Sequence, residues 1–464
     1  MRRARGRPIP LIRADVTADL RGDGPPATTS MIDPAATTPR SGFRRDAWCF
    51  VLLAAAGAWL YAPVFGIVPR GEDNLYVLSW ADRASLSTLA TVDPAIYPEW
   101  RPLAYLTVRL QYAWAGVGRV ADYYVFNIAV WVLAAWLVYL VVRRWTRSRG
   151  AAVAAGLLVL VDPRAISPVA WIIGRQGTMA CASGMAAVWL VLRSDGLSRR
   201  ALRAVGIGLL LLASALSKEY GLAFAGALAL HAMWSRRADV AASALGSVAV
   251  YAGLRIVLAS GALAPYCQDM GYFTDLRRGF CIGGIGAAPV AQMAYNVGAT
   301  AVGSLVRGLL DSDGRPGLSC VSLGLSLVWG AVLAAGWRHD RRAVRFGLSL
   351  AGTNALLSVL LYQPRNQVVA VCGIGVAAGA GVAALLAGPA GRRRWSRGAL
   401  LAAVAGLLCL QASRTRTELE SEVDALMRQS PCSALAEQPA LEPFVDRLDD
   451  AYDLPACDPA PNVP

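Results

Sequence analysis

The chain has 464 residues, 56% hydrophobic and only 16% charged, with a mean hydropathy of +0.44 and a formal charge of +14. A soluble domain carries roughly 25% charged residues, and a disordered chain combines low hydrophobicity with high charge, so both classes are excluded. What remains is a polytopic membrane protein; at about 20 residues per span this length allows about ten to twelve helices.

Residues 1–46 are rich in Arg, Pro and Thr but lack an apolar core and a small-residue cleavage site. They read as a disordered cytoplasmic tail rather than a targeting peptide. A first span is expected over 47–66. Gly71–Glu72–Asp73–Asn74 follows it. Two adjacent carboxylates over a membrane repel each other, so one can serve as a general base, or the two together can hold a divalent cation. A solvated acidic loop is the plainer alternative, because Asp82, Asp93 and Glu99 share the same segment.

Trp100–Arg101–Pro102–Leu103 opens an apolar stretch over 101–117, interrupted by Arg109 and read as a helix lying in the membrane plane. Proline at the start of a helix is ordinary. Arg101 either snorkels to the headgroup level or clamps a lipid phosphate. Tyr124 and Asn127 open the span at 122–142. Spans at 151–162 and 169–192 are joined through Asp162–Pro163–Arg164, and the second begins with Trp171, Gly174, Arg175 and Gln176. Charge at membrane depth is costly, so Arg175 is either an interfacial anchor with Trp171 or a functional group.

Spans at 203–217 and 220–234 meet at Ser217–Lys218–Glu219–Tyr220. Lys218 is the only lysine in the chain, beside 44 arginines. A compact ammonium suits a phosphate, although a Lys–Glu turn can also be merely solvated. Further spans are expected at 240–260, 317–336, 346–362, 367–388 and 398–413. The Gly- and Ala-rich stretch 283–310 is read as lying on the membrane. Arg365 lies in a polar turn, Tyr362–Gln367, between two late spans.

Eleven spans with a cytoplasmic N-terminus place 27 cations and 8 acids on the cytoplasmic side, leaving 18 cations and 23 acids elsewhere. This is the positive-inside pattern. The basic charge is therefore a topogenic signal and a contact with anionic membrane lipid, and does not point to nucleic acid. The sequence divides into a tail (1–46), a membrane domain (47–413) and a short acidic non-cytoplasmic tail (414–464) with a helix expected at Thr417–Arg428. Cys267 and Cys281 share one exported segment, and Cys432 and Cys457 share the other, which points to two local disulfides. Only His231 and His339 are present, too few for a histidine metal cluster.

Taken in order, these clusters resemble the multi-spanning GT-C glycosyltransferases. The likeness is strongest to the transmembrane O-mannosyltransferases and their bacterial relatives, many of which carry TPR repeats. It rests on Glu72/Asp73, Trp100–Leu103, Gly116, Asn127, Pro163, Val169, Trp171, Gly174, Arg175 and Ser217–Glu219, with Tyr251, Arg255 and Arg365 fitting later positions. The family's second-span histidines fall on Tyr124 and Trp131. Asp162, Ser167 and Gln176 also depart from its pattern, and no TPR domain follows.

The resemblance implies an all-α, GT-C-like bundle in a bacterial cytoplasmic membrane. It implies a polyprenyl-phosphate-linked sugar donor and a protein or surface-glycan acceptor on the non-cytoplasmic face. Arg101, Arg175, Lys218 and Arg365 would hold the donor phosphate, with Tyr124 and Asn127 lining the substrate. Asp73 or Glu72 would deprotonate the acceptor hydroxyl. Two other readings use the same residues. A lipid-linked glycan transporter would need no base, and the internal repeat common in transporters is not found. A scaffold without catalysis would accommodate the lost histidines.

Overall fold

A computed structural model describes residues 39–68, 72–85, 100–193, 200–259, 320–357, 367–387, 394–428, 444–445, 447 and 452. Residues 1–47 form one unit, of which only the opening of the first helix is described. Residues 48–464 form the other. All regular elements among the described residues are helical.

In chain order they are α1 (Pro39–Tyr61), α2 (Glu72–Arg83), α3 (Pro102–Ala115), α4 (Val120–Thr146), α5 (Arg149–Leu160), α6 (Ile166–Ala170) and α7 (Arg175–Arg193). There follow α8 (Arg200–Ser217), α9 (Leu222–Ser235), α10 (Ala238–Ala259), α11 (Cys320–His339), α12 (Arg341–Leu357), α13 (Val368–Ala387) and α14 (Arg394–Arg428). Against the eleven spans expected, five helices among the described residues are long and apolar enough to cross a membrane. They are Arg44–Gly66, Val120–Thr146, Arg200–Ser217, Ala238–Leu258 and Val368–Ala387. The number becomes six if α5 and the bent Pro163–Ala170 segment, 50° apart, count as one broken span. The chain is a multi-pass membrane protein.

The centre of the second unit is α13. Its residues from Val368 to Ala383 are all buried, and α4, α5, α7, α11 and α12 pack around it. Small residues let these backbones approach, as is usual between membrane helices. A Cβ on Gly373 would collide with the Gly347 carbonyl of α12, and one on Gly381 with the Val332 carbonyl of α11. On another side Gly379 receives the Val142 side chain of α4. From this centre α4 and α7 lead outward to α8, which also packs against α3 and α10.

Two elements differ from the sequence reading. The span expected over 169–192 is broken. α6 stops at Ala170, a turn covers 171–174, and α7 begins at Arg175. Asn127 takes the Val169 and Trp171 carbonyls with its amide, at 3.2 and 2.8 Å, and Gly174 sits where a Cβ would lie 2.6 Å from the Ser167 oxygen. The second difference concerns the tail. The helix expected at Thr417–Arg428 is no separate piece but the continuation of the 35-residue α14. The segment 283–310 and the cysteines Cys267, Cys281, Cys432 and Cys457 lie outside the described residues.

Candidate functional site

Glu72 and Asp73 are the first two residues of α2. Acids are favoured there because the exposed N–H groups of a first turn carry positive partial charge. Their side chains lie outside the described residues. The next residue fixes the helix start: Asn74 is buried, and its Oδ1 accepts the Ile172 N–H at 2.9 Å. The 171–174 turn is thereby tied to the turn of helix that carries the acid pair.

The same turn is held from beneath by Arg175. This side chain is 0% exposed. Its guanidinium donates to Gln111 Oε1 at 2.8 Å and to the Ile172 carbonyl at 3.0 Å, and it lies 4.7 Å from the Phe126 ring and 5.7 Å from that of Tyr123. Gln111 in turn donates to the Asp122 carbonyl at 2.8 Å, which joins α3 to the start of α4. Between these two helices Gly116, at φ +54°, makes the reversal that a residue with a Cβ would resist. Arg175, expected at the donor phosphate, is thus held among protein groups. Its donors are committed inside the protein, and it positions the turn. Asn127 is likewise fully buried, with its amide on two backbone carbonyls. Tyr124 is also fully buried, away from any open surface, and its hydroxyl has no partner among the described residues.

Of the expected cations, Arg101 meets another charged side chain. Arg101, just before Pro102 at the start of α3, pairs with Glu219 at 3.0 Å and donates to Gln176 Oε1. Glu219 is also held by Arg255 of α10 at 3.2 Å, and Arg255 donates to the Tyr251 hydroxyl at 2.8 Å. Trp100 and Tyr251 close one side, with ring centroids 5.9 Å apart. Lys218 precedes Glu219 in the extended link between α8 and a short 3-10 turn, and is buried to 7% exposure with its ammonium 6.0 Å from the Tyr220 ring. Burial raises the Glu219 carboxyl, but Arg101 and then Arg255 outweigh it and hold it at about 2.

The link can be this tight because Gly221 sits against the Ser214 backbone, where no Cβ fits. Two arginines thus hold one carboxylate at the junction of α3, α8 and α10, with the buried Lys218 next to it in sequence, an arrangement suited to an anionic group. Arg365 lies outside the described residues. Among the described residues, no group of three or more His, Cys, Asp or Glu gathers in a way that could hold a metal ion.

Gln111, well inside α3, carries no motif signal, and Asn74 is legible in the sequence only as the residue after the acid pair; their contacts alone reveal what they hold. Asp82, counted above as a diluting acid, is a bonded group. It accepts from Arg447 at 2.6 Å and from the Tyr112 hydroxyl at 3.0 Å.

No family model matches the chain. The protein O-mannosyl-transferase Tmtc1 of Drosophila melanogaster is 37% identical over 90 residues, 19% of this chain and 10% of that protein. The archaeal oligosaccharyltransferase AglB from Archaeoglobus fulgidus, in complex with an inhibitory peptide and a dolichol-phosphate, superposes with a TM-score of 0.51 at 14% identity. It covers 89% of this chain and 60% of its own. The Archaeoglobus enzyme tethered to an acceptor peptide gives 0.50 at 14% identity over 90% and 60%. The chain therefore spans a small part of the curated relative and 60% of the solved enzyme. At these identities the shared property is the backbone arrangement, and the chain is a multi-pass membrane protein with the GT-C fold.

Proposed function

We propose that the chain is a glycosyltransferase that moves a sugar from a polyprenyl-phosphate donor to an acceptor hydroxyl of a protein or surface glycan. The observation that carries this reading is the cation cluster. Arg101 and Arg255 hold the Glu219 carboxylate beside apolar helices, with the buried Lys218 adjacent to it in sequence, in a fold shared with an enzyme whose structure holds a dolichol-phosphate. The name of the relative Tmtc1 supports the same reaction class.

In this reading the polyprenyl tail lies along the membrane helices and the donor phosphate against the cluster. Asp73 or Glu72 takes the proton of the acceptor hydroxyl as its oxygen attacks the anomeric carbon. The bond from that carbon to the phosphate oxygen breaks, and the cations stabilise the charge left on the polyprenyl phosphate. The reaction takes place on the non-cytoplasmic face of a bacterial cytoplasmic membrane, with the N-terminus on the opposite side.

Asp73→Asn and Glu72→Gln, assayed for sugar transfer in membrane vesicles supplied with polyprenyl-phosphate sugar, test the base. Loss of about 10²–10⁴-fold in at least one variant is expected. Full transfer by both variants, with transfer abolished when the chain is absent, would remove the base assignment. Lys218→Ala is expected to weaken donor binding. Unchanged donor affinity in that variant would remove the lysine from the phosphate site.

A further inference from the structure

α14 does not stop at the end of its apolar run. Along its extension Thr415 donates to the Val161 carbonyl at 2.6 Å, and Arg416 donates to the carbonyls of Trp59 and Leu60 at 2.5 and 3.3 Å. Glu422 accepts the Trp171 indole N–H at 3.0 Å, and the Met427 sulfur accepts the Val68 N–H at 3.3 Å. Further on, Phe444 and Val445 are buried. Arg447 grips the Asp82 carboxylate with both terminal nitrogens, at 2.6 and 3.4 Å. Tyr452 donates to the Val117 carbonyl at 2.8 Å and accepts the Val120 N–H at 3.4 Å.

Two of these contacts bear on α2. At one end of that helix, Asp82 is held by Arg447 and Tyr112. At the other end, Asn74 accepts from Ile172, and the neighbouring Trp171 donates to Glu422. α2 is thus fastened at one end directly by Arg447 and at the other by Glu422 through the 171–174 turn. Glu72 and Asp73 are the residues immediately before Asn74. The length of α2 between Asp73 and Asp82, about 14 Å at 1.5 Å per residue, is a rigid lever joining the acid pair to the Arg447 contact.

We propose that the end of α14 and Arg447 together act as a clamp that sets the position of the acid pair, with Arg447 and Glu422 as positioning residues for the transfer reaction. The reaction itself is the one proposed above, and the clamp rests on that reading. Arg447 touches no reacting atom; it acts through Asp82. A bidentate arginine–carboxylate pair fixes orientation as well as distance, which is what a positioning contact requires. A misplacement of the base by about 1 Å can lower turnover by about 10²-fold without altering how the donor is held.

The test uses the full chain in membrane vesicles. Arg447→Ala and Asp82→Ala are each expected to lower kcat by about tenfold or more, with KM for the polyprenyl-phosphate sugar unchanged. The exchanged pair, Asp82→Arg with Arg447→Asp, is expected to restore kcat to within a few-fold. A rise in donor KM with kcat unchanged, or no recovery in the exchanged pair, would overturn the clamp. Amide hydrogen exchange supplies a readout that does not depend on catalysis. Arg447→Ala is expected to speed exchange over Glu72–Arg83, and exchange there equal to that of the unaltered chain would overturn the clamp. If the unaltered chain transfers no sugar while exchange over α2 responds as expected, the proposed reaction fails and the mechanical coupling stands.

Discussion

Replacing Arg175 by Met tests the distinction between a supporting and a binding arginine. The change removes two well-formed donations, to Gln111 Oε1 at 2.8 Å and to the Ile172 carbonyl at 3.0 Å, and two aromatic contacts. Each buried acceptor left without a donor costs about 1–3 kcal/mol. Methionine fills much of the same volume and spares the burial of a charge, which offsets part of that loss. A net destabilisation of about 2–4 kcal/mol results, or about 4–8 °C in Tm at roughly 2 °C per kcal/mol. The assay is thermal unfolding of the chain in lipid nanodiscs, followed by tryptophan fluorescence, beside binding of polyprenyl phosphate.

Arg175→Lys separates the two roles further. A lysine supplies the charge but not the planar fork that reaches Gln111 and the Ile172 carbonyl together, so it is expected to leave the stability loss largely unrepaired. A point charge for a phosphate would be restored by lysine. Unchanged Tm in Arg175→Met together with lost phosphate binding, recovered in Arg175→Lys, would refute the supporting role.

Other outcomes follow from the same geometry. Glu219 is held down by Arg101 and Arg255 against the opposing effect of burial, so its folded value lies below the unfolded one of about 4.3. Its contribution to stability is fully present above the unfolded value and is lost as pH falls through about 2; stability curves over pH 5–8 should be the same in Glu219→Gln and the unaltered chain apart from a constant offset. Gly381→Val would drive a side chain into the Val332 carbonyl and should destabilise by about 1–3 kcal/mol or more. Gly253→Ala, with open space around it, should be neutral or slightly stabilising; equal effects of the two changes on Tm would contradict the close packing of α11 on α13. A reporter fused after residue 413 should be active only outside the cytoplasm, and a cytoplasmic signal would overturn the proposed topology. Mass mapping without reduction should recover Cys267 joined to Cys281 and Cys432 joined to Cys457, and free thiols at these positions would remove both disulfides.

Helices whose apolar runs are bounded by charge, such as α4, α8, α10 and α13, are legible in the sequence because hydropathy and length alone define them. The break at 171–174 is not. Its residues are apolar, and it exists because Asn127, more than 40 positions away in sequence, captures the carbonyls on which a continuous helix would depend. Arg175 illustrates the same limit. A charge at the start of an apolar run looks interfacial until its partner on α3 is known. The grouping of Arg101 with Glu219 was visible only through the order of motifs, because no local pattern links positions 118 apart. Asp82 and Arg447, 365 positions apart, left no trace, and the acids around Asp82 hid it further.

α13 meets the hydropathy test for a membrane span, yet 89% of that apolar window is enclosed by protein. Its sequence therefore answers to two solvents at different times. While the chain is being inserted, hydrophobicity must carry the helix into lipid. Once the bundle closes, its neighbours are other helices, and what matters is how little volume each residue takes. Leucine at Gly373 or Gly381 would satisfy the first demand and fail the second, giving a chain that inserts normally and then cannot close its bundle.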